Sequence, residues 1–208
     1  MKRFEHELIR GWLHEPQANA SGKGLVVTHG AGWNCESPLL RAVAEAFAGA
    51  GFHVLRCDLP YRQVRPSGPP FPGAAARDRE GLQRAAEAMR EMTPQYVILG
   101  GHSYGGRQAT LLAADCSTIA DALLLLSYPL HPPRKAEQLR TQHFPRLRTP
   151  ALFIHGTRDP FGSIEEMTAA LTAIPARHHL VAIEKAGHEL GAAAAEVILR
   201  EAECFANA

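Results

Sequence analysis

Six short apolar runs, each closing on a glycine, a proline or an acidic residue, limit most strongly what this chain can fold into. They are GLVVTHG (24–30), HVLRCDLP (53–60), YVILGG (96–101), ALLLLSYP (122–129), ALFIHGTRD (151–159) and HLVAIEKAG (179–187). Rich in Val, Ile and Leu and largely free of charge, they have the composition of strands buried on both faces of a parallel sheet. The stretches between them read as helices. Ser37 is a fitting N-cap with Pro38 at the first helical position, Leu39, Leu40, Val43 and Phe47 recur at helical spacing, and Gly51 is a fitting stop. Residues 74–92 put Leu82, Ala85, Ala86 and Met89 on one face. A third helix is expected after Gly106, a fourth over 164–173, and a last over 190–205 with Val197, Ile198 and Phe205 turned inward. Strict strand–helix alternation predicts an α/β fold: a doubly wound, mostly parallel sheet of about six strands flanked by helices, with right-handed crossovers. Leu8 and Trp12, set among polar neighbours, allow an additional antiparallel edge strand.

Two segments break the rhythm. YRQVRPSGPPFPG (61–73) is so rich in proline and glycine that a loop is expected. Residues 131–150 connect the fourth and fifth runs, with room for one helical turn around Ala136–Arg140. No internal repeat or linker interrupts the chain, so residues 1–208 are expected to form a single domain. A net charge of +1 gives no electrostatic case for nucleic acid or an anionic membrane as partner. No apolar run approaches the roughly 20 residues that span a bilayer. MKRFEHELIRGWLHE interleaves charges where a signal peptide would carry a continuous apolar core, so a cytoplasmic location is expected. Cys35, Cys57, Cys116 and Cys204 are scattered, without a CxxC pair or zinc-like spacing, and read as reduced structural thiols. Cys35 lies in a glycine-rich loop and is read as buried and inert.

The chemistry concentrates in GGHSYGGR (100–107). Gly101-His102-Ser103-Tyr104-Gly105 has the form G-x-S-x-G, with a strand before it and a helix after it. As a bare string that pattern is weak; its placement gives it weight. The serine would sit in a strained turn with its hydroxyl projecting, and side chains two residues to either side would strike neighbouring backbone. A phosphate-binding loop is disfavoured, because the Lys-Ser/Thr pair is missing and the G-x-G-x-x-G spacing fits poorly. A serine hydroxyl needs a base, and the base needs an orienting group. In this fold the chain order is Ser, then Asp or Glu, then His. Asp159 follows the fifth run and His188 follows the sixth, in that order and on the same rim as Ser103. Ser103 Oγ is therefore expected within hydrogen-bond reach of His188, and His188 within reach of Asp159. A pure turn role for Asp159 and a surface role for His188 are the bland alternatives. An oxyanion needs two backbone N–H donors. Tyr104 is expected to supply one and Ala31, in THGAGWNC, the other, with Gly32 as the neighbouring possibility; His29 is read as structural.

The set HGAG, GGHSYGGR, HGTRDPFG and AGHEL resembles the α/β-hydrolase superfamily. More closely it resembles the compact dienelactone-hydrolase-like branch that includes the testis-expressed hydrolase-like proteins. The likeness runs over nearly the whole chain, DLPYR (58–62) and YPLHPP (128–133) included. It implies a hydrolase whose natural substrate is generally undefined in that branch. Dienelactone hydrolases use a cysteine nucleophile, so Ser103 departs from that reaction, and dehalogenases of this fold use an aspartate.

Many members of the superfamily insert a helical cap after the fourth parallel strand, whereas 131–150 offers too few residues for one. A shallow, open site is expected, suited to small or exposed acyl groups and partly walled by the 61–73 and 131–148 segments. Tyr61, Arg62, His131 and Arg140 lie in those segments and are candidate substrate contacts. The two arginines hint at a carboxylate-bearing ligand, the plainer reading being solvated arginines on an exposed face. His155, His178 and His179 lack metal-ligand spacing, so neither a metal nor another cofactor is expected. The expected activity is hydrolysis of a small-molecule carboxylic ester, or a related acyl bond, through an acyl-enzyme on Ser103. The rivals are a non-catalytic binding protein of the same fold and an acyltransferase or perhydrolase using the same residues. The sequence specifies neither the acyl and leaving groups nor an oligomeric state.

Overall fold

A computed structural model describes residues 1–17 and 19–207. The strands are β1 (Lys2–His6), β2 (Ile9–His14), β3 (Lys23–Thr28), β4 (His53–Asp58), β5 (Tyr96–His102), β6 (Ala122–Leu126), β7 (Ala151–Gly156) and β8 (His178–Ile183). The helices are α1 (Pro38–Gly49), α2 (Pro60–Val64), α3 (Ala74–Met92), α4 (Tyr104–Asp115), α5 (Ile164–Leu171) and α6 (Ala195–Asn207), with single 3₁₀ turns at Phe144–Arg146 and Ala192–Ala194. All eight strands join one sheet in the order β1-β2-β4-β3-β5-β6-β7-β8. From β4 to β8 every neighbouring pair is parallel, and β1 and β2 run antiparallel at one edge. This is the doubly wound α/β-hydrolase fold.

Alternate residues of the central strands enter two separate cores, because successive side chains point to opposite faces. Val26, Leu99, Leu125 and Phe153 meet Leu82 and Met89 of α3, Ala109 of α4 and Met167 of α5. Leu25, Ile98, Leu124 and Ile154 meet Leu40 and Phe47 of α1 and Ile198 and Phe205 of α6. Burial of each such leucine, isoleucine or phenylalanine contributes about 1.5–3 kcal/mol. β8 departs from the two-faced expectation: none of its six residues is fully buried, since it pairs only with β7 and forms the far edge.

Local details depart from the sequence reading where tertiary contacts override composition. The N-terminal residues form a two-stranded hairpin, not one edge strand, which raises the sheet from six strands to eight. Residues 60–64 are helical rather than loop. Pro60 takes the first helical position, where its missing N–H costs nothing, and the buried Asp78 Oδ1 accepts the Tyr61 N–H at 3.0 Å. α4 starts at Tyr104, not after Gly106, so both glycines lie within it. Residues 136–140 form turns without a helix, and the last helix begins at Ala195. No helix among the described residues is long and apolar enough to cross a membrane.

Three buried histidines make stability depend on pH. His29 has no exposed surface; its Nδ1–H donates to Gly30 O at 2.9 Å, and its Nε2 accepts the Leu59 N–H at 3.1 Å. Burial holds its pKa down at about 4. Burial with the Arg56 charge does the same to His14, and burial with Arg107 and Arg146 to His143, each to about 4. Between pH 6.5 and 4 the unfolded chain therefore binds more protons than the folded one. Stability is complete above pH 6.5 and falls as pH drops, by up to about 1.4 kcal/mol per pH unit for each histidine. Urea midpoints are expected to fall steeply between pH 6.5 and 4.5; a flat profile would contradict these burials.

Candidate active site

Ser103 joins the end of β5 to the start of α4 in a backbone conformation few side chains adopt, φ 50° and ψ −113°. Conformations of this kind cost about 1–3 kcal/mol and persist only where surrounding packing enforces them. The flanking glycines supply that packing. A methyl on Gly101 would lie 2.8 Å from Thr28 O, and one on Gly105 would lie 2.7 Å from His29 O. Neither glycine has a left-handed φ, so what the turn requires of them is space. The Ser103 N–H donates to Leu126 O at 2.8 Å, tying the turn to the neighbouring strand.

The three residues singled out by chain order come together. His188 Nε2 lies 2.8 Å from Ser103 Oγ, and His188 Nδ1 lies 2.8 Å from Asp159 Oδ2. A carboxylate facing Nδ1 fixes the proton there, so Nε2 is left to accept from the serine hydroxyl. Asp159 is itself held, since its Oδ1 accepts the Phe161 N–H at 2.8 Å. The Phe161 ring lies against the His188 imidazole with centroids 4.2 Å apart. His102 Nε2–H donates to the His188 carbonyl at 2.8 Å, and burial keeps the His102 ring neutral by lowering its pKa. Hydroxyl, imidazole and carboxylate in this order allow the imidazole to take the hydroxyl proton as the oxygen attacks.

Ser103, Ala31 and Tyr104 open onto one cleft of about 440 Å³, walled by Phe71 and Phe161. Tyr104 is the first residue of α4, where an N–H has no intrahelical acceptor. The Ala31 loop is anchored from behind: its carbonyl accepts from Tyr61 Oη at 2.9 Å and from Arg62 Nη2 at 2.7 Å. Gly32 is exposed beside Ala31, and nothing approaches the position of its missing side chain.

Three of the candidate substrate contacts face the protein interior. Tyr61 is buried beneath Ala31, with burial raising its pKa to about 12. Arg62 is 3% exposed, and its donors are taken by the carbonyls of Ala31, Trp33, Arg65 and Gly68 and by Tyr61 Oη. A guanidinium engaged at all three nitrogens and 3% exposed is turned to the protein and not to a ligand carboxylate. His131 is buried away from the cleft, with Nδ1 2.9 Å from Pro132 O and Nε2 3.3 Å from Glu166 Oε2. Arg140, by contrast, lines the cleft. Cys35 matches its inert reading: burial and the neighbouring Asp58 raise its thiol to about 12.

Sequence reasoning overlooked Arg107, which also lines the cleft, and Asp78, whose Oδ2 accepts from Tyr104 Oη at 2.8 Å. Asp78 left a legible trace, because it shares the helical face of Leu82, Ala85 and Met89, where a lone carboxylate needs buried partners. Arg107 left only its spacing, one helical turn beyond Ser103.

The family model described as an alpha/beta hydrolase domain matches residues 21–204. Among solved structures, a dienelactone hydrolase from Anabaena variabilis is 23% identical, with a TM-score of 0.75 over 99% of this chain and 97% of its own. An alpha-beta serine hydrolase homologue from Coxiella burnetii is 16% identical, with a TM-score of 0.75 over 99% and 96%. A serine hydrolase without lid from Xanthomonas campestris is 20% identical, with a TM-score of 0.68 over 93% and 88%. At these identities the structures establish a shared fold, while the family model covers most of the sequence: the chain belongs to the α/β-hydrolase family.

Proposed function

We propose that this protein hydrolyses a small carboxylic ester, or a related acyl bond, through an acyl-enzyme on Ser103. The observation that carries the reading is the unbroken hydrogen-bonded line from Ser103 Oγ through His188 to Asp159, opening on the cleft. Ser103 Oγ attacks the carbonyl carbon while its proton passes to His188 Nε2. The negative charge on the carbonyl oxygen is received by the N–H groups of Ala31 and Tyr104. Collapse of that intermediate returns the proton from His188 to the departing alcohol and leaves an ester on Ser103. Water, activated by the same imidazole, then releases the acid and restores the serine. Asp159 orients the ring and stabilises its positive charge while the proton is held. A cleft of this size suits a compact acyl group.

The direct test is covalent labelling by a fluorophosphonate. The wild-type protein is expected to gain one adduct, mapped by mass spectrometry to the peptide carrying Ser103, and folded Ser103→Ala to gain none. Absence of a wild-type adduct, or equal labelling of the alanine variant, would remove Ser103 as nucleophile.

A further inference from the structure

The cleft beside Ser103 carries two guanidinium groups with no carboxylate to balance them. Arg107 and Arg140 both line it, and neither lies within 4 Å of an acidic side chain among the described residues. Arg56, Arg90 and Arg146 by contrast sit against Glu36, Asp121 and Asp115, and Arg62 is absorbed by carbonyls. Arg107 projects from α4 one turn beyond Ser103, and its Nε is buried without a hydrogen-bond partner. That nitrogen is closed to a ligand in the cleft, which other atoms of Arg107 line. Arg140 is fixed through its backbone: Tyr128 Oη donates to its carbonyl at 2.6 Å, and its N–H donates to Leu130 O at 2.8 Å. Its side chain has one long contact, from Nη1 to Pro129 O at 3.4 Å. Burial, followed by the Arg107 charge, lowers the Arg140 pKa from its ordinary value, so the two cations feel one another in the free protein. An anion placed between them would relieve that repulsion, and guanidinium forks match the two oxygens of a carboxylate.

We propose that Arg107 and Arg140 form an anion subsite that selects esters bearing a carboxylate a few bonds from the scissile carbonyl. The inference rests on Ser103 as the nucleophile. In the reaction a half-ester of a dicarboxylic acid acylates Ser103, its alcohol leaves with the proton from His188, and water releases the diacid. The carboxylate held by the arginines takes no part in bond making.

The test compares kcat/KM for mono-p-nitrophenyl adipate and p-nitrophenyl hexanoate, which differ in one terminal charge at equal chain length. The wild type is expected to favour the anionic ester by at least about tenfold, and Arg107→Gln and Arg140→Gln each to lower the ratio by about tenfold, the scale of one charge-assisted contact. Two variants at separate points of the chain keep the comparison decisive if one fails to fold. Calorimetry on Ser103→Ala gives a readout independent of turnover: adipate should bind, inorganic phosphate should bind less tightly, and adding Arg107→Gln should abolish adipate binding. Cleavage of both esters at equal efficiency would overturn the subsite and leave the serine reading intact. Adipate binding that depends on Arg107, in a protein that takes no fluorophosphonate and cleaves neither ester, would overturn the serine reading and leave the subsite standing. Loss of both signals would overturn both.

Discussion

Replacing Asp159 by Asn is expected to lower kcat on an activated ester by about four orders of magnitude, roughly 5.5 kcal/mol of transition-state stabilisation, with the fold retained. The contacts of Asp159 explain so large an effect from so small a change. Its Oδ1 accepts from the Phe161 N–H, and its Oδ2 faces His188 Nδ1. An asparagine must leave its carbonyl oxygen toward Phe161, because that N–H can only donate, and the amide NH₂ then points at His188. The ring has to present a lone pair at Nδ1 and carry its proton on Nε2, facing Ser103 Oγ. The base is then blocked, although every heavy atom stays in place. Ser103→Ala should lower kcat at least as far. The measurement is single-turnover hydrolysis of p-nitrophenyl acetate, with circular dichroism as the check on folding. Wild-type rates in folded Asp159→Asn would mean that the imidazole is oriented by another group.

The second large effect concerns stability. Gly100→Ala is expected to cost about 4 kcal/mol or more, a large part of the roughly 5–15 kcal/mol that holds a domain of this size together. Gly100 lies in β5 between β3 and β6, and an added methyl would be driven into the Leu124 carbonyl. That oxygen belongs to the neighbouring strand, so relief requires the β5–β6 ladder to open, and no rotamer change suffices. Gly49→Ala is the control. It ends α1 at an exposed position with nothing near the added carbon, and should stabilise by about 0.5 kcal/mol through helix propensity and a less free unfolded chain. Urea denaturation of the two variants beside wild type reads the difference. A loss below 1 kcal/mol at Gly100 would show that β5 and β6 have room the packing does not indicate.

What the sequence could determine was periodic or punctuated. The strand cores at 24–28, 53–58, 96–101, 122–126 and 151–156 were legible, because a strand covered by helices on both faces is apolar along most of its length, and 179–183 by its Leu, Val and Ile although it lies at an edge. Ser103, Asp159 and His188 were legible as one group, since parallel strands bring all their carboxyl ends to one rim whatever the loops do. Alternation of apolar runs carried that much without any knowledge of contacts. The β1–β2 hairpin was only partly legible, because an edge exposed to water need not be apolar.

Tertiary structure alone decided where the long polar side chains point. Arg62 and Arg140 look equivalent in sequence, each a cation in an irregular segment, yet one is spent on the carbonyls that anchor the Ala31 loop and the other faces the cleft. Helix α2 decided this by turning Arg62 beneath Ala31, and α2 itself depends on Asp78 reaching it from α3. Arg107 entered the cleft because α4 begins at Tyr104, three residues earlier than its glycines suggested, a start made possible by close approach of Gly105 to β3. A guanidinium reaches far enough to serve either the protein or a ligand, so its role follows from which carbonyls the fold brings near it, and no local pattern of residues records that.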